Sequence, residues 1–368
     1  MSLPEHMRLF DAAPMQWNDW HWQLAHCVKS LKELEAVSGG RLVPTPSMLE
    51  AERLYPMQTT PYYLSLAKEW NPEDPVLRQL LPTGMELEEH PECTEDGLAE
   101  EAFSPVPRLV HRYGDRVLFL TCSACAMRCR HCLRKRLWNS PVSAPTPEEL
   151  RRCTRYLREH PEVREVLVSG GDPFMLPDDA LEQILKAFAE LPGIRTLRIG
   201  TRTPVCLPQR ITPELCAMLE GLGCTVWVAT HFNHPQELTP DAAAAADRLL
   251  RHGIPVVNQS VLLKGVNDDA DTLAELFTRL VEMKVKPYYL FHGDPIRGAG
   301  CFRTGIRRGL ELMAALRGRV SGLALPAYAF DLPEGGGKVR LEPDFQTATL
   351  EDGTPVFLKL DGTPVAYR

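Results

Sequence analysis

From about Arg116 the chain settles into a rhythm of short apolar strands and helices. Residues 116–121, 164–170, 196–200, 225–230, 255–263 and 286–291 read as strands, each followed by a helical pattern. Thr146 or Pro147 opens the first helix, with acidic residues in its first turn. Six strand–helix units in a row demand a parallel sheet, because each helix returns the chain to the same end. Six units are too few to close an eight-stranded barrel, so the expected fold is α/β, a partial (βα)6 three-quarter TIM-like barrel. A doubly wound open sheet is the alternative. Residues 1–104 read as an N-terminal helical extension, 105–320 as the barrel and 321–368 as a short C-terminal segment. Residues 91–109 are polar and read as an exposed crossing segment, and no internal repeat is apparent.

Composition narrows the function. A chain of 368 residues, 44% hydrophobic, supports one large core with smaller additions. With 41 Lys plus Arg against 48 Asp plus Glu, the net charge of -7 argues against non-specific nucleic-acid binding. No apolar run is long enough to span a membrane. The 11 cysteines lack the spacing of a secreted disulfide scaffold. They fit a reducing cytosol, so a cytoplasmic location is expected.

The densest chemistry lies in LFLTCSACAMRCRHCLRKR, Leu118 to Arg136. Cys125, Cys129 and Cys132 form C-x3-C-x2-C, close enough to wrap an iron–sulfur cluster. Three ligands on a four-iron cluster leave one iron open to a non-protein ligand. Cys122 precedes the run, so a closed four-cysteine cluster, a structural zinc or chance core cysteines are alternatives. Other reactive groups also follow strand ends, where parallel α/β folds carry chemistry. Ser169, Gly170, Gly171 and Asp172 follow the second strand, Arg202 the third, His231 and Asn233 the fourth. Gln259 lies on the fifth strand and Asp294 follows the sixth. His231 and His234 form a pair with no evident third metal ligand.

Gly335, Gly336 and Gly337 lead into Lys338. Three glycines let backbone approach a flat group, and a lysine there suits a Schiff base with an aldehyde cofactor; a surface turn is the plainer reading. Arg112, Arg116 and Arg134 flank strand one and the cysteine loop, and suit a phosphate or carboxylate. Asp294 and Asp331 are two carboxylates at the ends of core elements.

Together, C-x3-C-x2-C, VLVSGGD, THFNHP, KPYYLFHGD and DLPEGGGK resemble the lysine 2,3-aminomutase family, radical S-adenosylmethionine (SAM) enzymes that also use pyridoxal phosphate. The similarity spans about residues 15–340. It implies that Cys125, Cys129 and Cys132 hold a [4Fe–4S] cluster whose open iron binds SAM. Ser169, Gly170, Gly171 and Asp172, with Arg202, His231 and Gln259, would surround SAM. Lys338 would anchor pyridoxal 5'-phosphate, with Arg112, Arg116 and Tyr288 beside it. Arg134 would hold the substrate carboxylate, and Asp294 and Asp331 its distal ammonium.

The implied reaction moves the α-amino group of L-lysine to the β-carbon through a 5'-deoxyadenosyl radical and a pyridoxal phosphate imine, giving β-lysine. An arginine or other cationic amino-acid 2,3-aminomutase is the alternative, and a non-enzymatic iron–sulfur electron-transfer protein is a further one. The implied partners are a free cationic amino acid, a one-electron reductant such as flavodoxin or ferredoxin, and further copies of the chain; no nucleic acid and no membrane are expected. Departures exist. The tail lacks the family's zinc-binding cysteines and the GVND loop carries Asp269, so no interfacial zinc is expected. Arg297 would bring a cation to the substrate's far end, and Glu334 stands where a fourth glycine is common. Cys122 reads as a bystander.

Overall fold

A computed structural model describes residues 9–367. One nine-stranded sheet runs in chain order: β1 (Leu109–Tyr113), β2 (Arg116–Leu120), β3 (Glu165–Ser169), β4 (Thr196–Gly200), β5 (Thr225–Thr230), β6 (Val256–Leu262), β7 (Lys286–His292), β8 (Ala327–Asp331) and β9 (Lys338–Leu341). β2 to β8 are mutually parallel, and β1 and β9 flank them antiparallel. Among the described residues β1 and β9 do not pair, so the barrel stays open. Six helices make the crossovers: α1 (Pro147–Glu159), α2 (Asp178–Ala189), α3 (Pro213–Glu220), α4 (Pro240–Arg251), α5 (Ala270–Glu282) and α6 (Ile306–Leu316).

Thr-Pro pairs set several helix starts. Thr146, Thr212 and Thr239 each accept a hydrogen bond from a first-turn N–H of α1, α3 and α4, with proline at the next residue. Proline has no N–H to orphan there, and its fixed φ suits the first turn. Thr146 and Glu149 also form a reciprocal capping box.

The sheet has two unlike faces. Val117, Phe119, Val166, Val168, Leu197 and Ile199 are buried in the core that the helices cover. Phe119 meets Phe188 of α2 edge-on, with ring centroids 4.9 Å apart. The alternate residues Leu118, Glu165, Leu167, Ser169, Arg198 and Gly200 line a central cavity instead. The N-terminal extension shares this core: Leu31, Leu34, Leu77, Leu80 and Leu81 belong to the same cluster as the barrel strands.

The six expected βα units are present, and β8 adds a seventh parallel strand after α6. AYAFD has two alanines among its five residues and stands outside the expected rhythm. The structure corrects three sequence expectations. The boundary at residue 320 divides no fold, since β8 and β9 are strands of the main sheet. Residues 91–109 are not merely an exposed crossing, for Glu100 is 3% exposed. The C-terminal segment does hold a repeat: DGTPV occurs at 352–356 and 361–365. Each copy forms a turn in which aspartate Oδ1 accepts from the threonine N–H two residues on, at 2.9 Å. Gly353 and Gly362 take φ of 84° and 80° there, and a separate three-stranded meander results.

Candidate active site

The carboxyl ends of the parallel strands open onto one cavity of 680 Å³. All seventeen residues singled out for cofactor or substrate contact line it: Cys125, Cys129, Cys132, Arg112, Arg116, Arg134, Ser169, Gly170, Gly171, Asp172, Arg202, His231, Gln259, Tyr288, Asp294, Asp331 and Lys338. Cys122 does not. Its thiol is in the core, within reach of the backbone oxygens of Ala124 and Asp172 at 3.9 and 3.8 Å.

The cysteine loop is clamped from two sides. Arg128 and Arg130 N–H donate to Gln58 and Gln79 carbonyls, both at 2.9 Å, and Gln58 Nε2 donates to Cys125 O at 2.7 Å. On the other side Gly171 and Asp172 N–H donate to Cys122 and Ala124 carbonyls at 2.5 and 2.7 Å. That approach needs glycine: a Cβ on Gly171 would lie 2.4 Å from Ala124 O, and one on Gly170 2.5 Å from Cys122 O. Gly170 also has φ of 130°. Beneath the loop, fully buried Glu86 accepts from Arg130 at 2.6 Å and from Lys135 at 2.5 Å. Burial pulls the Lys135 amine down to about 8.

Asp172 works on the protein itself. Its carboxylate accepts from Thr201 Oγ1 at 2.7 Å, Arg202 N–H at 2.8 Å and Phe174 N–H at 3.0 Å, tying the β3 loop to the β4 loop. Burial raises its pKa above the usual carboxylate range. Burial likewise pushes His231 down to about 4, leaving a neutral imidazole on the wall.

At the far end, β8 and β9 bring two functional residues into register: Asp331 pairs with Lys338 across the ladder. Lys338 Nζ donates to Asp331 at 2.6 Å and lies 4.1 Å from the Phe291 ring centroid. Tyr113 OH accepts from Lys338 N–H at 2.8 Å, bringing β1 to the lysine. Asp294, just beyond β7, makes no side-chain hydrogen bond or ion pair among the described residues. Burial, reinforced by the nearby Asp331 charge, pushes its carboxyl up to about 7. Arg134 is held in a fork by Glu100 at 2.6–3.1 Å, with Nη1 3.3 Å from Gly170 O.

Two of the sequence departures lie outside the cavity. Arg297 is 63% exposed and pairs with Glu95 at 3.1 Å, so it brings no cation to the cavity; Arg303 lines the cavity and pairs with Glu92 at 2.7 Å. Glu334 is exposed with φ of 56°. Glu100, Tyr113, His131, Tyr289 and Arg340 line the cavity without having been singled out. Arg340 was findable, being two residues beyond Lys338 on one strand. Glu100 carried no signal in its polar, aperiodic stretch.

The residues fit the implied cofactors. Arg112 Nε and His131 Nδ1 are buried without a partner, so a polar ligand in this cavity would satisfy both. No three His, Cys, Asp or Glu side chains among the described residues converge on one metal ion. The cysteine triad is not in conflict with that, since each thiolate of a cluster holds a different iron.

Residues 119–277 match the radical SAM superfamily, and 313–367 match the family described as lysine-2,3-aminomutase. The chain is 41% identical to the L-lysine 2,3-aminomutase of Clostridium subterminale, covering 93% of this chain and 82% of that protein. It is 41% identical to the L-lysine 2,3-aminomutase of Bacillus subtilis (strain 168), covering 97% and 75%. It is also 37% identical to the glutamate 2,3-aminomutase of Clostridioides difficile (strain 630), covering 92% and 80%. The cysteine triad, the SGGD loop and the lysine behind three glycines thus share one cavity in a member of the lysine 2,3-aminomutase family, radical SAM isomerases that use a [4Fe–4S] cluster, SAM and pyridoxal phosphate.

Proposed function

We propose that this chain is an L-lysine 2,3-aminomutase, moving the α-amino group of L-lysine to its β-carbon. The observation that carries the choice of substrate is Asp294: an unpartnered carboxylate on the cavity wall, electrostatically coupled to Asp331. Two carboxylates at one end of a cavity repel an acidic side chain and receive a cationic one.

The cluster with SAM supplies a hydrogen-abstracting radical, and pyridoxal phosphate supplies the π-system through which nitrogen migrates. The chain's own residues bind and orient. Cys125, Cys129 and Cys132 hold the cluster. The Ser169–Asp172 loop, Arg202, His231 and Gln259 form the SAM wall. Arg112 on β1 and Arg116 on β2 would offer cations to the cofactor phosphate, Tyr288 on β7 would contact the cofactor, and Lys338 would be its covalent anchor. Arg134 receives the substrate carboxylate through Nη1, its other donors being committed to Glu100. Asp331 serves Lys338 Nζ before cofactor loading and the substrate ammonium afterwards. Held between Arg134 and the aspartates, the substrate presents its β-carbon in one position away from bulk water.

The reading extends to a one-electron reductant such as flavodoxin or ferredoxin, and to a cytoplasmic homo-oligomer. In support, no helix among the described residues is long and apolar enough to cross a membrane, and Leu360 and Tyr367 are 71% and 74% exposed on the terminal meander. The test is anaerobic incubation of cluster-loaded protein with SAM, pyridoxal phosphate, dithionite and a panel of amino acids. β-Lysine should dominate the isomers separated by chromatography. A preference for arginine or glutamate overturns the assignment.

A further inference from the structure

Arg202 does more than line the cavity. Its Nη1 donates to Cys129 Sγ at 2.8 Å. Its other donors are fixed by protein: Nε by His231 O at 3.1 Å, Nη2 by Gln79 Oε1 at 2.6 Å and Glu237 Oε1 at 2.8 Å. Glu237 is fully buried and itself saturated. Its Oε1 also accepts from Tyr63 OH at 2.6 Å and Gln79 Nε2 at 3.0 Å, and its Oε2 from Asn233 and His234 N–H at 2.6 and 3.0 Å. A guanidinium is therefore locked onto one thiol of the cysteine triad, with a single counter-charge on its far side.

We propose that Arg202 sets the reduction potential of the iron–sulfur cluster through this bond to Cys129, with Glu237 limiting its effect. The proposal rests on Cys129 being a cluster ligand. Hydrogen bonds to ligand sulfurs and nearby charge are among the determinants of cluster potentials. Reduction adds one electron from a low-potential donor to the cluster and breaks no bond. The added negative charge is stabilised by a cation at the sulfur, and little water intervenes to screen it. Arg202 therefore raises the potential and Glu237 lowers it. A purely structural role predicts no such opposition.

The experiment is a dithionite-poised redox titration of the cluster-loaded full chain, without SAM, followed by electron paramagnetic resonance. Arg202→Gln should weaken one-electron reduction at least tenfold, a midpoint about 59 mV more negative. Glu237→Gln should shift the midpoint the opposite way. Shifts of the same sign, or neither variant moving the equilibrium twofold, overturn the proposal. If Arg202→Gln fails to load iron, Glu237→Gln decides alone: a positive shift supports the proposal, and a null or negative shift overturns it. Cys129→Ala tests the underlying ligand assignment separately, since full iron content and an unchanged cluster signal there would remove Cys129 as a ligand.

Discussion

Replacing Asp294 by asparagine tests the substrate assignment, and its effect has two parts that can be worked out separately. The first is the lost attraction. Leaving a charge without its partner in a low-water site costs on the order of 3–5 kcal/mol. At 1.36 kcal/mol per tenfold, Asp294→Asn should lower kcat/KM for lysine by at least ~100-fold. Because the cysteine triad and Lys338 are untouched, iron content and the cofactor absorbance should stay near wild-type values.

The second part is a pH dependence. Asp294 has its carboxyl raised from 3.8 to about 7 in the ligand-free protein, by burial first and by the Asp331 charge second. The folded protein therefore keeps a proton there that the unfolded chain has lost, and the ionised form must be reached before a lysine ammonium can be received. On the acid side of about 7, kcat/KM should fall about tenfold per pH unit in wild type, and Asp294→Asn should lack that limb. Stability carries the opposite sign to activity, falling as pH rises. The favourable contribution of the raised group is present below the unfolded value and is lost as pH rises through about 7, so ligand-free Asp294→Asn should gain stability over wild type at alkaline pH and none at pH below 3.8. The assay is anaerobic initial-rate kinetics across pH, paired with thermal unfolding. A variant within ~10-fold of wild type, or one that keeps the acid limb, refutes the reasoning.

Changing Cys125, Cys129 or Cys132 to Ala should abolish reductive cleavage of SAM to 5'-deoxyadenosine, whereas Cys122→Ala should retain most of it because that thiol is off the cavity; loss in the Cys122 variant alone would reverse the ligand assignment. Lys338→Ala should lose the absorbance and borohydride-trappable label of bound pyridoxal phosphate together with all aminomutase turnover, and retained turnover would show another anchor. Gly171→Ala should destabilise the fold by about 1–3 kcal/mol and lower iron content, because its Cβ would meet Ala124 O at 2.4 Å; an unshifted melting temperature would contradict the clamp. Glu334→Gly should leave melting temperature equal or higher, since a left-handed non-glycine residue costs about 1–2 kcal/mol and Glu334 makes no cavity contact.

The legible part of the fold was the part with period. Strands β2 to β7 and all six helices stand out because alternating apolar residues give way to amphipathic runs, Thr-capped in α1, α3 and α4 and Asp-capped in α5. What the sequence hid has a common cause: no local pattern. β8, Ala327–Asp331, has two alanines among its five residues, so its place in the sheet depends on Tyr289, Leu290 and Phe291 pairing with it. β1 has His111 and Arg112 in place of apolar residues. Glu100 is buried only because Arg134 and Arg136 reach it from 34 and 36 residues away. The site residues were legible for a different reason: side chains after successive parallel strands must meet at one end of the sheet, whatever lies between them. Asp331 and Lys338, which follow no counted strand, reach the cavity because β8 and β9 complete the sheet there.

Family membership alone leaves the substrate open, because a glutamate 2,3-aminomutase is 37% identical to this chain and lysine enzymes only a little more so. The machinery for making a radical and migrating nitrogen sees the α-amino end, which every amino acid shares. Discrimination must come from the far end, where the side chain's charge is read. Here that end carries Asp294 and Asp331, with Lys338 paired to Asp331 and Arg303 paired to Glu92. Were Lys338 committed to the cofactor, as proposed, Asp331 would lose that ion pair and two carboxylates would face the substrate. An acidic side chain would add a third negative charge, where burial and then the Asp331 charge already push Asp294 to about 7. A cationic side chain would relieve that repulsion, so in the proposed function the same charge pair that destabilises the ligand-free cavity would attract lysine and exclude glutamate.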